Sequence, residues 1–457
     1  MKAKNRIMQK NNKKAELPLP PGPPLWTGIQ DYWQGPPQYF EKLAQTYGDV
    51  VRWRGMFTLY TINNPDYVRQ ILTQDYPRFI KDTIDYRVIA QSLGKGLVTS
   101  EGAFWQQQRK LMQPIFTNRN VNGFDTIINA MTAQMLQRWE QRSPATTIWL
   151  DREMGHVAFQ IVSRALFGAD IDHCSDEIVE ILKVINTNSQ TLRAMLRLLP
   201  WLPVPSNRHF LRTKNQLDQI VYGLIERRRK QGVGNNDMLD RLLAAQDAET
   251  GKGMSEIQLR DEIVTLLLAG HETTGTAIAW TLYLLSQHSQ IEAQLVAELD
   301  SVLSGTPATS GDLARLPYLK QVMQESLRLY PPIWAIARQN TEPLELGGYR
   351  IPPKSYLVMP IYSLHRHPDY WPDPEKFDPD RFAPQREASR HSYCYLPFSA
   401  GPRTCIGANM AMLEIQLVLA QVLQRFRVTP VAGHPVEPVA EITFKPRYGL
   451  AVRVEAR

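Results

Sequence analysis

Residues 255–288 contain no proline and read as one helix. Ser255 and Gln258 stand three apart at its start, the spacing of a reciprocal cap, and the helical pattern persists to about His288. At 1.5 Å per residue such a rod is roughly 50 Å long, enough to cross a whole domain. Its middle, 264–285, is apolar enough to raise a transmembrane reading. However, residues 269–274, AGHETT, put His271, Glu272 and two threonines at the centre, which a lipid-exposed span would be penalised for. Polar groups inside a buried helix need a reason. Thr273 can bond back to the Ala269 carbonyl four residues earlier, and Gly270 leaves room for the helix to loosen beside a ligand.

A second constraint is FSAGPRTCIG, residues 398–407, which holds one of the three cysteines of the chain. Gly401 and Pro402 can turn the backbone sharply, and 408–425 reads as helix. A thiolate just before a helix start meets free backbone N–H groups, which hold its charge and lower its pKa; Arg403 adds a cation. A buried structural cysteine beside a turn is the plain alternative. The full string, Phe398-x-x-Gly401-x-Arg403-x-Cys405-x-Gly407, resembles the haem-binding loop of the cytochrome P450 family. The resemblance implies haem b (iron protoporphyrin IX) with Cys405 as its proximal ligand, Phe398 packed nearby and Arg403 on a propionate.

Three further motifs agree in order. Trp105 and Arg109, four apart on one helix face, are two donors suited to a carboxylate and resemble the family's propionate helix. Glu325 and Arg328, followed by Tyr330, Pro331 and Pro332, resemble its Glu-x-x-Arg signature, and Arg381 in FDPDRF would complete a Glu-Arg-Arg network. Asp380 stands there in place of the usual Glu. These three residues are expected to be structural. By resemblance, AGHETT is the oxygen-binding groove, with Thr273 and Glu272 delivering protons. Ala269, Ile333 and Ile336 would line the substrate pocket, the proline-broken LLPWLPVP of 198–205 its roof, and Arg338 would reach a propionate.

Length alone suggests about three domains, but no composition break or repeat supports that count. The resemblance implies instead a basic tail and proline-rich lead-in over 1–19 and one domain over 20–457. The tail carries six Lys or Arg in its first fourteen residues and no apolar core of a signal or anchor, so it is expected to be disordered and the protein soluble. Three cysteines without paired spacing form no disulfide framework, which points to the cytoplasm. The net charge of +7 is mild, and no aromatic interleaving of ERRRK at 226–230 argues for nucleic acid; that run reads as a cationic helix end. His365, His367, His391, Cys394 and Cys405 do not form a zinc pattern.

Hairpins are expected over 48–62, 344–359 and 442–454, with glycines near their turns. The fold class is therefore mainly α with small β-sheets, the P450 fold with a long central helix across the haem. The implied reaction is insertion of one oxygen atom of O2 into a C–H bond of an apolar molecule. A long-chain fatty acid is the first expectation for that substrate and a terpenoid the alternative. A haem sensor or a rearranging haem-thiolate enzyme is the non-oxygenase alternative, disfavoured by the intact Glu272–Thr273 pair. No flavin or iron-sulfur segment is present, so electrons are expected from a ferredoxin- or flavodoxin-type donor with its reductase. Lys110 and Arg119 are candidates for its docking face.

Overall fold

The structure, a computed structural model, describes residues 17–457 apart from 56, 144, 169–176, 179–180, 183–204, 233, 235–236 and 248–250. The 198–205 stretch thus lies, but for the backbone of Pro205, outside the described residues.

The helix Glu256–Gln287 forms as the sequence demands. Ser255 accepts the Gln258 N–H at 3.3 Å while the Gln258 side chain accepts the Ser255 N–H at 2.7 Å. Its apolar residues are buried around nearly the whole circumference, so it runs through the core rather than along the surface. It packs most extensively on the helix Leu150–Phe167. At Gly275 a Cβ would come within 2.8 Å of the Gly155 Cα, so these two backbones touch where only glycine fits. Gly270 serves the same contact: a Cβ there would meet the Val162 side chain at 2.9 Å. Asp125–Glu140, Pro317–Leu329 and Ala408–Arg425 complete the helical layers around the long helix.

The small sheets correct the expected hairpins in part. Val50–Arg54 and Thr58–Ile62 pair antiparallel as read from the sequence. Tyr356–Met359, however, pairs with Thr58–Ile62 and with Ile336–Asn340, in a five-stranded sheet whose far edge is Phe79–Ile80. The turn at Gly347–Gly348 closes a separate hairpin, Leu344–Leu346 with Tyr349–Ile351. Near the C-terminus Phe444–Pro446 pairs back with Pro438–Ala440, and Ala451–Ala456 pairs with Phe426–Pro430. Gly449 is therefore a corner between sheets and not a hairpin turn.

Two charge clusters lie deeper than their sequence pattern suggests. Arg328 bonds Glu325 through Nε (2.7 Å) and Nη2 (2.8 Å), and both side chains are fully buried. Arg381 Nε stands 3.3 Å from the same carboxylate. Remaining donors of Arg328 reach the His365, Pro374 and Lys376 carbonyls, which ties the chain beyond the helix to its end. The 226–230 run does end a helix, Pro205–Gln231, with Arg228 in its last turn; that residue is also buried and pairs with Asp237 and Asp240 at 2.7 Å.

Early in the long helix, Glu262 accepts the Leu97 N–H at 3.0 Å. Burial, with a smaller push from Asp261, raises its pKa to about 8 despite that bond. The folded chain thus holds a proton here that the unfolded chain has already released above its ordinary value. Stability from this group is lost as pH rises from about 4.5 to about 8. Glu262→Gln is expected to flatten that part of the stability–pH curve. Denaturation midpoints of the two proteins across this range check it; parallel curves would refute the assignment.

Candidate functional site

Cys405 sits two residues ahead of Gly407, the N-cap of the Ala408–Arg425 helix. Its own N–H donates to the Phe398 carbonyl at 2.9 Å, closing the loop. Gly401 makes the turn possible, with φ of 69° and no room for a Cβ, which would fall 2.0 Å from the Leu72 carbonyl oxygen. Gly407, by contrast, has φ of −88° and open space around its Cα.

The cysteine is accessible, yet burial dominates its chemistry and raises the thiol pKa. The Gly407 N–H and the Arg109 guanidinium pull the other way without prevailing. The expected depression of the pKa by helix and arginine is thus overturned, because the sulfur has lost more hydration than these groups return. The thiol is thus accessible, yet water does little to stabilise its anion. It needs a stronger cation than Arg109 to be held as thiolate at neutral pH.

Around it the predicted arginines converge. Arg403 lies 3.8 Å over the Trp105 ring, donates to the Ser100 carbonyl at 2.9 Å and pairs with Glu101 at 2.7 Å. Arg109 donates to the Thr404 carbonyl at 2.9 Å, next to Cys405. Arg338, buried on Ile336–Asn340, donates to the Ala337 carbonyl at 2.8 Å. Trp105 and Arg109 therefore do share a neighbourhood, but as a platform for Arg403 and a tie to the cysteine loop.

Sequence reasoning missed Lys81. Its N–H donates to Glu101 at 2.8 Å and its ammonium to the Val98 carbonyl at 2.9 Å, 4.9 Å from the Tyr86 ring centre. Burial, then repulsion from Arg338 and Arg403, hold its pKa well below the ordinary value; Glu101 opposes this and Arg109 adds to it. Four cations thus gather against one carboxylate of the set. No short motif marks Lys81, since its partners come from four separate stretches of sequence. A cluster so rich in positive charge fits a dianionic ligand, and an anion among these groups reverses the repulsion that depresses Lys81.

The long helix shows its own opening. Ala269 is exposed and Thr273 half-buried in the middle of a helix otherwise buried on both sides of them. Thr273 Oγ1 donates to the Ala269 carbonyl at 2.7 Å, as the spacing predicts. The Glu272 side chain turns elsewhere: it accepts the Thr443 hydroxyl at 2.9 Å and lies 3.8 Å from Lys445, both on or beside Phe444–Pro446. Burial raises its pKa, Lys445 and Thr443 pulling against it. The same hairpin is fixed to the helix by Trp280, which donates to the Phe444 carbonyl at 2.9 Å. Ile333 is 37% exposed, whereas Ile336 is buried in the sheet opposite Met359.

A family model, Cytochrome P450, matches residues 17–449. The chain belongs to the cytochrome P450 family. It is 34% identical to cyclooctat-9-en-7-ol 5-monooxygenase of Streptomyces melanosporofaciens, over 90% of this chain and 89% of that one. It is 31% identical to pentalenene oxygenase of Streptomyces avermitilis, over 92% and 93%. The crystal structure of the cytochrome P450DA heme domain superposes with a TM-score of 0.87 at 28% identity, covering 97% of this chain and 98% of that one. Cytochromes P450 are haem-thiolate monooxygenases that use O2, separate redox partners and apolar substrates, so this P450 takes haem b. The mainly helical fold with small sheets is the family's. Among the described residues, no helix is long and apolar enough to cross a membrane.

Lys81 stands in a cation cluster that suits the two carboxylates of a haem. Lys81→Met is expected to speed haem loss about tenfold, the weight of one charge-assisted hydrogen bond. Transfer of haem to an excess of an apo-haem acceptor protein, followed in the Soret band, measures it; an unchanged rate would remove Lys81 from the cradle.

Proposed function

We propose that this P450 hydroxylates an apolar, cyclic terpenoid skeleton, with Cys405 as the iron ligand. The carrying observation is the accessible, desolvated Cys405 thiol beside a buried excess of cations. Haem iron held by a thiolate supplies the electron donation that favours O–O cleavage and oxygen insertion into a C–H bond. Arg109, Arg338, Arg403 and Lys81 would hold the propionates, with Trp105 setting the plane of Arg403 and Phe398 flanking the cysteine. Ala269 and Ile333 would offer apolar surface to a substrate; Ile336, buried in the sheet, would not. The names of the two Streptomyces relatives support a cyclic hydrocarbon over the long-chain fatty acid. Residues 20–457 would act as one unit.

Glu272 and Thr273 would move protons. A buried carboxyl with a raised pKa can carry a proton near neutrality, and Thr443 and Lys445 connect it to the partly exposed hairpin. Thr273, one residue on, sits at the exposed gap in the helix. Glu325, Arg328 and Arg381 would act at a distance, holding the chain that leads to the cysteine loop. For electrons, a surface recess of about 460 Å³ on the Gly102–Met112 helix is lined by Trp105, Arg109 and Lys110. Arg119, exposed just beyond, extends the basic face. An acidic ferredoxin- or flavodoxin-type donor, with its reductase and in the cytoplasm, suits that surface.

Three measurements test this reading. The reduced protein with carbon monoxide should show a strongly red-shifted Soret band that Cys405→Ala abolishes; a band surviving in the variant would remove Cys405 as ligand. A polycyclic terpene alcohol should displace the haem spectrum toward high spin more strongly than a long-chain fatty acid, and the reverse order would favour the fatty acid. With a turning-over system, Glu272→Gln and Thr273→Ala should lower product formation by on the order of 10²-fold while peroxide release rises. Unchanged coupling between electrons and product in both variants would place proton delivery elsewhere.

A further inference from the structure

The loop 94–101 joins the helix Ile84–Leu93 to the helix Gly102–Met112. Its first half lies directly on the long helix. A Cβ at Gly94, where φ is 64°, would fall 2.2 Å from the Asp261 Oδ1, and one at Gly96 would fall 2.1 Å from the Thr265 Oγ1. The Lys95 N–H donates to Asp261 at 2.7 Å and the Leu97 N–H to Glu262 at 3.0 Å. Its second half belongs to the cation cluster. The Val98 carbonyl accepts the Lys81 ammonium at 2.9 Å, the Ser100 carbonyl accepts Arg403 at 2.9 Å, and Glu101 pairs with Arg403 at 2.7 Å. The Gly96 carbonyl accepts the Thr99 and Ser100 N–H groups at 3.0 and 2.9 Å, and the Thr99 hydroxyl reaches back to the Gly94 carbonyl at 2.7 Å. The two halves are thus tied to each other, so a displacement of one carries the other.

Asp261 faces two ways. Its Oδ2 takes the Lys95 N–H, and its Oδ1 takes Nη1 of Arg260 at 2.8 Å. Arg260 is 3% exposed, and its Nε and Nη2 both donate to the Asp218 Oδ1, the former at 2.7 Å. Asp218 stands on Pro205–Gln231 and holds the Lys214 ammonium at 2.7 Å with its other oxygen. Two cations thus meet two carboxylates. Glu262, next in the chain, has its pKa raised to about 8 by burial, so at neutral pH it adds little negative charge to the group. A buried guanidinium cannot lose one of its two acids without cost. With no charge at 218, Arg260 must draw its pairing from Asp261 alone, and Asp261 is the residue that holds the loop.

We propose that Asp218, Arg260 and Asp261 are positioning residues that couple the helix Pro205–Gln231 to the grip on haem, acting through the loop 94–101. The coupling rests on the haem cradle proposed above. The three residues act at a distance, since Val98, Ser100 and Glu101 are the loop groups that meet Lys81 and Arg403. An equilibrium coupling runs both ways. A displacement of Pro205–Gln231 loosens the hold on haem, and loss of haem frees that helix. The ion pairs sit in a buried place, so the relay is far less open to screening by salt than a surface pair.

The full-length holoenzyme carrying Asp218→Asn tests this with two readouts that a merely local ion pair would leave unmoved. Amide hydrogen exchange in 94–101 should rise about tenfold, while exchange in Leu150–Phe167 stays as in the unaltered protein. Transfer of haem to an excess of an apo-haem acceptor protein should quicken about threefold. Asp218→Glu should return both toward their starting values, and Lys214→Gln, which leaves Arg260 paired, should alter neither. An unchanged carbon monoxide spectrum is the control for folding. In a double-mutant cycle, Asp218→Asn with Glu101→Gln should speed haem transfer by less than the product of their separate effects. Exchange that rises in 205–231 but not in 94–101, haem transfer that ignores Asp218→Asn, or separate effects that multiply each overturn the relay alone. A Glu101→Gln protein that holds haem as tightly as before overturns the cradle, and the relay with it.

Discussion

The site depends on a contact between two backbones. Gly275 and Gly155 bring Glu256–Gln287 and Leu150–Phe167 together with no side chain between them, and this fixes the long helix in depth and rotation. Rotation matters because, within two turns of that contact, Ala269 lies exposed and Thr273 half-buried between the buried Leu268 and Thr274. A methyl group at Gly275 would push the helices apart and turn that opening, whereas one at Gly155 would meet open space. Close packing transmits such a shift, since a dense core has no slack to absorb it. The Phe444–Pro446 hairpin makes a second clamp through Trp280 and Glu272, so the helix is held on both flanks of the gap.

Electrostatics then accounts for what the packing alone leaves unexplained. Lys81, Arg109, Arg338 and Arg403 repel one another in a desolvated place, and Cys405 is a thiol whose pKa is raised. Each of these states is unfavourable taken alone. They would be mutually consistent around haem b, whose iron would be the cation for the sulfur and whose two carboxylates would add anions to the single Glu101 among the arginines and Lys81. The disagreement between expectation and structure at Cys405 is therefore informative: helix and arginine are auxiliary to the metal in making the thiolate.

The sequence made the helices legible because capping and periodicity are local. Ser255 with Gln258 sets the start of the long helix, and the Ala408–Arg425 run has the bounds its pattern suggests. The four motifs also placed Cys405, Arg109, Arg338 and Arg403 together before any coordinates. What escaped was non-local. Tyr356–Met359 pairs with a strand almost three hundred residues earlier, and strand alternation cannot name a partner. Arg228 reads as a helix-end cation, but nothing in its run tells that Asp237 and Asp240 fold onto it. Lys81 joins the cradle through groups spread from Val98 to Arg403, a set no spacing rule encodes.

Glu272 shows how position and orientation separate. Its place beside Thr273 is readable from the chain, but successive residues on a helix point about 100° apart, so two neighbours cannot face the same space. Thr273 keeps its hydroxyl on the Ala269 carbonyl, at the gap, while Glu272 is turned toward Thr443 and Lys445. A proton moving between them must cross the helix, and the raised pKa from burial makes Glu272 able to hold one on the way. The geometry thus divides the pair into an outer group in touch with the hairpin and an inner group at the opening. If protons reach the core through this pair, as proposed, the C-terminal hairpin, which carries none of the four sequence motifs, would be part of their route.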